Sequence, residues 1–416
     1  MRTTLFKTAS KIIMLTLIAF IAISVFVDFK AGMYFVGGSE GKRSEEQREN
    51  NQLSANNKVH VSNQSNTGTQ ISTTNTNNQT ALSNQTNGAS TSTVNNGFEF
   101  LRNTSINPLT GLPSAGDIAK NRPVAISISN QRDALPTNAT NGISEADIVY
   151  EFLVEGGGTR FIGIFQDFTN VGVVGSIRSA RHYMVEIIEA YDALFIHAGG
   201  SPLGFEEIDN RGITAFDAVR GRRAQIFNRD VNRIPGHTVL NYHGQTTSGA
   251  LFSKHLPTYD IRLTHSDRFI QALFFSDNPI PSGKSAQSVT ARFSAAKSSI
   301  FSYDSTKNLY FMSQYGSQFK DANNNAPVAF TNLLILETPV SDLVGHGEGA
   351  GRQDMSTVGR GTGYFVSAGK YININWFRAD KASQYIYADE NGNIIDLGRG
   401  KTYIAIVPEG ANTVIN

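Results

Sequence analysis

Arginines, glutamates and one histidine carry the chemistry this chain offers. In the stretch VGVVGSIRSARHYMVEIIEAYDALFIHAGGSP, Val171 to Pro202, Arg178 and Arg181 stand three residues apart on a turn bearing glycine and serine. From there Ala180, Tyr183, Met184, Ile187, Ile188 and Tyr191 recur at three- and four-residue spacing, which is the apolar face of a helix. Arg181, Glu186 and Glu189 fall on its other side. Ser179 is placed to cap that helix, so the two guanidinium groups flank an N-terminus whose free N–H groups and dipole already favour an anion. Arg160, a little upstream, can join them. Guanidinium groups gathered at one helix start repel one another unless an anion or buried carboxylates lie among them. The carboxylates the sequence supplies nearby are Asp147, Glu151 and Glu155.

The second half of the stretch reads as a strand over Ala193 to His197 that opens into Ala198-Gly199-Gly200-Ser201-Pro202. Ser201 suits the N-cap of a further helix and Pro202 its first position. Helix, strand, glycine turn and helix start make an α/β unit, and in open α/β sheets ligands sit beyond the carboxyl ends of strands. Arg160, Arg178, Arg181, His197, Gly199, Gly200 and Ser201 are therefore read as lining a ligand-binding cleft. An enzymatic alternative gives His197 the role of base and Glu151 or Glu155 that of acid. A carboxylate within hydrogen-bond reach of His197, beside open space, would favour catalysis; carboxylates saturated by arginines would favour binding or plain scaffold. No GxSxG elbow occurs, so Ser201 is a helix cap rather than a nucleophile.

The elements that must position these groups are legible around them. ADIVYEFLVEGGGTRFIGIFQDF, from Ala146, reads as two strands around Gly156-Gly157-Gly158. Ile148, Tyr150 and Phe152 fall on one face and Asp147, Val149 and Glu151 on the other, while Glu155 and Arg160 flank the turn and can pair across it. Pro123 to Asn130 alternates as a strand does, and short helices are read at Phe205 to Asp209 and near Thr246 to His255, with Arg220, Arg222 and Arg223 between them. Pro279, Pro281, Ser282 and Gly283 mark a boundary, and beyond it short β-rich runs alternate with turns. Gly359-Arg360-Gly361-Thr362-Gly363 reads as a strand-connecting turn, since no helix start follows it to hold a phosphate.

Composition narrows the classes. A net charge of +1, from 36 basic and 35 acidic residues, provides no global field for nucleic acid, so none is expected as a partner and any anion site must be local. Cysteine is absent, which removes disulfides, thiolate metal sites and thiol nucleophiles together. The eight histidines show no HExxH and no other tight zinc spacing, and neither a metal nor a cofactor is expected. Residues 1–11 are basic, 12–36 are largely apolar and read as a transmembrane anchor or signal segment, with the uncleaved single-pass anchor preferred, and 37–97 form a polar Asn/Thr/Ser-rich tether. Residues 98–280 are read as an α/β domain, a mixed sheet with helices, and 281–416 as a β-rich second domain.

GSIRSAR, HAGGSP, the earlier NPLTGL, the segment SEADIVYEFLVEGGGTRF and the closing GKTYIAIVP together resemble the YerB-like family of bacterial surface proteins. That family pairs two adjacent domains known as DUF3048 N-terminal and C-terminal, and the resemblance runs from about Asn107 to near the end of the chain. It implies a membrane-tethered protein whose folded part lies outside the cytoplasm and has no established reaction. The chain departs from the family in lacking a lipid-bearing cysteine, and in Pro235-Gly236-His237-Thr238, where the family reads Pro-His-Asn. The expectation is an extracytoplasmic protein that binds an anionic envelope ligand, such as a peptidoglycan, teichoic-acid or acidic peptide fragment. The alternatives are an envelope-polymer hydrolase or transferase and a protein-interaction module of envelope machinery.

Overall fold

The computed structural model describes residues 105–135, 137–234, 243–345, 347, 349 and 351–416. The expected anchor at 12–36, the tether at 37–97 and the His237 motif lie outside these residues. The first half of the described chain supplies β1 (Val124–Ser129), β2 (Ile148–Leu153), β3 (Thr159–Phe165), α1 (His182–Ala190), β4 (Leu194–His197), α2 (Pro202–Asn210), β5 (Ala215–Asp217) and α3 (Gly249–His255). The second half supplies β6 (Ser288–Arg292), β7 (Ser298–Asp304), β8 (Leu309–Gln314), β9 (Asn332–Thr338), β10 (Gly359–Ser367), β11 (Lys370–Arg378) and β12 (Thr402–Pro408). Strands dominate, with few helices, as a mixed sheet with a β-rich C-terminal part requires.

One large sheet runs in the order Lys284–Ser285, β11, β10, β9, β12, β2, β3, β1, β4, β5, with Ile386–Asp389 added beside β11. Its centre is parallel where β12 lies between β9 and β2, antiparallel through β2, β3 and β1, and parallel again through β1, β4 and β5. The β12 to β2 pairing, Thr402 opposite Ile148 through Ile406 opposite Phe152, joins the two halves of the chain by backbone hydrogen bonds. Strands buried on both faces read as continuous apolar runs, and Leu333 to Leu336 in β9 and Tyr403 to Val407 in β12 do so.

The two faces of β2 show the layering. Phe152 packs on Tyr183 of α1 at 5.6 Å between ring centroids, and the Tyr150 hydroxyl meets that of Tyr191 at 3.0 Å. On the opposite face lies a smaller antiparallel sheet built on β8, β7 and β6, with Phe301 of β7 4.7 Å from Tyr403 of β12. Helix, large sheet and small sheet thus form three layers around a common core.

Two sequence expectations change. Glu186, read on the outer side of its helix, is buried: Lys381 reaches its Oε1 at 2.9 Å and Arg378 donates to its carbonyl at 2.7 Å. Chain from the second half covers that side of α1 and supplies the partners a buried charge needs. The GRGTG run is the first part of β10, not a turn. A Cβ at Gly361 would fall 2.6 Å from the Trp376 indole, and one at Gly363 would run into the Ile335 carbonyl, so these glycines serve close packing within a strand.

Candidate functional site

The loop carrying Arg178 and Arg181 is strapped across the carboxyl ends of β1 and β4. Arg178 N–H donates to the Ser127 carbonyl at 2.8 Å, Ala198 N–H to the Arg178 carbonyl at 3.0 Å and Ala180 N–H to the Gly199 carbonyl at 2.9 Å. These bonds keep the loop extended through Arg181, whose φ of −129° and ψ of 150° mark it as the residue before α1. Ser179 therefore does not cap the helix. Its hydrogen bonds run sideways instead, its carbonyl accepting from Arg160 Nη1 at 2.6 Å and from Ser127 Oγ at 3.3 Å.

Arg160, Arg178 and Arg181 come together as the sequence suggested, but the carboxylate pairing differs. Arg181 forms a two-pronged bond to Glu155, Nε to Oε1 at 2.6 Å and Nη2 to Oε2 at 2.8 Å, and Arg352 Nε stands 3.6 Å from the same Oε1. The expected Glu155 to Arg160 pair across the glycine turn is not made, because the Arg181 fork occupies both Glu155 oxygens while Arg160 turns to the Ser179 carbonyl. Burial raises the Glu155 carboxyl, yet the Arg181 bonds and then the Arg160 charge outweigh it and hold the group at about 2. Arg160 is buried, and burial followed by the charges of Arg181 and Arg178 drives its pKa well below the arginine range, with Glu155 opposing. Asp147 takes no part: it accepts from Asn107 Nδ2 at 2.9 Å and Gln166 N–H at 2.7 Å.

Glu151 lies wholly inside, between the large and small sheets. Its Oε1 meets Lys297 Nζ at 2.9 Å and accepts from Asn130 Nδ2 at 2.8 Å and from Thr159 Oγ1, while Oε2 accepts from Ser299 Oγ at 2.8 Å and Tyr403 OH at 2.6 Å. Lys297 is equally buried, and that burial lowers its pKa against the pull of Glu151. His197 is 1% exposed and stacks on Phe195 at 4.7 Å. Its Nδ1 is 2.8 Å from the Gly199 carbonyl and 3.9 Å from Asp217 Oδ1, and burial lowers its pKa. Its polar neighbours are thus Gly199 and Asp217, not Glu151 or Glu155. Ser201 Oγ accepts from Gly204 N–H at 3.0 Å and caps α2, with Pro202 following, as its sequence position implied.

The accessible part of the arrangement is an open cleft of about 370 Å³ beside the Gly156–Gly158 turn, lined by Gln131, Arg132, Glu155, Lys297 and Tyr315 among others. Arg178 Nη2 reaches Gln131 Oε1 at 3.4 Å, which links the cleft to the arginines. Gln131, Lys297, Tyr315 and Arg352 were not found from sequence, because each approaches the site by tertiary packing with no local motif to announce it. Among the described residues no group of three or more His, Asp or Glu side chains is arranged to hold a metal ion.

A mixed sheet with helices on one face, a small antiparallel sheet on the other and a buried arginine group at the carboxyl ends of its strands defines the class of protein. Two family models match it: the N-terminal domain of a protein of unknown function, DUF3048, over residues 109–250, and the matching C-terminal domain over residues 289–404. Together they span more than half of the chain, which belongs to the DUF3048 family, the YerB-like proteins. It is 27% identical over 307 residues to YerB of Bacillus subtilis (strain 168), which is named as a candidate lipoprotein; the match covers 73% of this chain and 86% of that protein. The crystal structure of Bacillus subtilis YerB is similar at a TM-score of 0.63 and 26% identity, covering 75% of this chain and 99% of the solved one.

Proposed function

We propose that this chain is a membrane-tethered, extracytoplasmic protein that binds an anionic envelope ligand, a peptidoglycan, teichoic-acid or acidic peptide fragment, at its arginine group. One arrangement carries the reading: three guanidinium groups gather at the carboxyl end of β1, with Arg160 turned to the Ser179 carbonyl, Arg181 forked onto Glu155, and Arg178 reaching Gln131 at the cleft. An anion received beside Arg178 adds counter-charge to a group whose nearest carboxylate is already spent on Arg181. The saturation of Glu151 by five partners, and a His197 with neither glutamate beside it, support binding over the hydrolase or transferase alternative.

The tether rests on the YerB relative, named as a candidate lipoprotein, and on the apolar segment 12–36. With no cysteine in the sequence to carry lipid, that segment is assigned the anchoring role. The full chain is expected in the membrane pellet on fractionation; a soluble product beginning near residue 30 or 40 would show a cleaved signal instead.

The binding reading is tested by melting the full chain in detergent with inorganic phosphate and with muramyl peptides. A ligand present at a hundredfold excess over its Kd raises stability by about 2.7 kcal/mol. Arg178→Gln is expected to abolish that gain, and a wild-type protein whose melting temperature is unmoved by either probe overturns the assignment.

A further inference from the structure

Resting on the proposed anion site, we infer that it takes a chain of phosphate-type groups rather than a single anion, held along a row from Arg132 past Arg178 to Arg220. The row follows the carboxyl ends of the parallel strands β1, β4 and β5, where ligands of open α/β sheets sit. Arg132 follows the end of β1 and is exposed, and its neighbour Gln131 accepts from Arg178. The Arg178 loop is then bonded to the turn after β4, through Ala198 and Gly199. That turn meets the one after β5: Ala218 N–H donates to the His197 carbonyl at 3.1 Å, and Asp217 Oδ1 accepts from Gly199 N–H at 2.8 Å and Val219 N–H at 2.9 Å. Arg220 follows directly.

In the floor between these arginines Gly199 is glycine for a backbone reason. A Cβ at Gly199, already left-handed at φ 73°, would stand 3.4 Å from Val219 and 3.8 Å from Ser179 Oγ; one at Gly200 would stand 3.4 Å from the Phe205 ring. Arg220 is exposed and lies flat on Phe205, its guanidinium carbon 3.2 Å from the ring centroid. Stacking uses the face of a guanidinium and leaves its N–H edge for an oxyanion. Among the described residues neither Arg132 nor Arg220 is within ion-pair distance of a carboxylate, whereas the nearby acids are engaged: Asp133 stands 3.5 Å from His243, Asp209 pairs with Arg222 at 3.3 Å and Glu155 is held by Arg181. Two inter-strand steps, each about 4.8 Å, set the ends of β1 and β5 on the order of 10 Å apart, more than one phosphate spans.

The test measures binding of inorganic phosphate, tripolyphosphate and a glycerol-phosphate oligomer to the full chain in detergent. The two multi-phosphate probes are expected to bind at least about tenfold tighter than phosphate, and Arg220→Gln to remove that advantage while leaving phosphate affinity unchanged. Arg132→Gln is the second variant, expected to act in the same direction. Phosphate binding with no gain from the longer probes, or a gain that survives both substitutions with the melting temperature unchanged, overturns this inference and leaves the anion site standing. Failure of all three probes to bind overturns both.

Discussion

At the scale of single residues, two glutamates four positions apart have opposite surroundings. Glu155 sits at the cleft edge under the Arg181 fork, whereas Glu151 is sealed between sheets with Lys297 as counter-ion. Removing Lys297 strands a buried charge, so Lys297→Met is expected to destabilise the fold by about 3 to 5 kcal/mol, read from urea denaturation. A loss below about 1 kcal/mol would show that the hydrogen bonds to Glu151 suffice without Lys297. Glu155 gives a pH signature. Its folded pKa lies below its unfolded value, so its stabilisation is present above the ordinary carboxylate pKa of 4.5 and is lost as pH falls toward 2. Wild type and Glu155→Gln should therefore differ most near neutral pH and converge in acid, in melting temperatures taken across that window. A difference that stays constant with pH contradicts the ion-pair account.

At the scale of elements, the α2 start and the β10 glycines have local physical causes. Ser201 satisfies the Gly204 N–H, so Ser201→Ala is expected to cost about 1 kcal/mol of stability, measured by chemical denaturation. Gly363 lies against the Ile335 carbonyl in the paired strand, and Gly363→Ala must push β9 and β10 apart. The expected loss is about 1 to 3 kcal/mol, the range of an overpacked core. A neutral Gly363→Ala would mean that the pairing relaxes without penalty. Gly363→Ala lies away from the arginine row and is expected to leave anion binding intact in the folded fraction.

At the scale of the whole molecule, the two family segments share a sheet, and α1 is gripped from both: Tyr183 and Tyr191 meet β2 while Glu186 is held by Arg378 and Lys381. Neither segment can open without exposing the apolar faces of β12 and β2. The described part of the chain is expected to unfold in a single cooperative transition, with calorimetric and van't Hoff enthalpies equal. Two separated transitions would show that the β12 to β2 seam contributes little.

Local pattern decided more of this protein than its cleft. The 3.6-residue recurrence from Ala180 marked α1, the alternation around Gly156–Gly158 marked β2 and β3, Ser201-Pro202 marked the start of α2, and the ordered motifs marked the family; each depends on neighbours within a few residues, which a sequence displays. The arginine grouping was legible for the same reason, because Arg178 and Arg181 share a loop and Arg160 opens a strand that lies beside it. Partners were not. Glu155 had Arg160 across its own turn and took Arg181 from another loop, Glu151 found Lys297 in the small sheet, and His197 was closed off by Phe195 and the turn after β5. Those choices are made by long-range burial, which sets which charges lose water and must find one another, and no spacing in the chain records them.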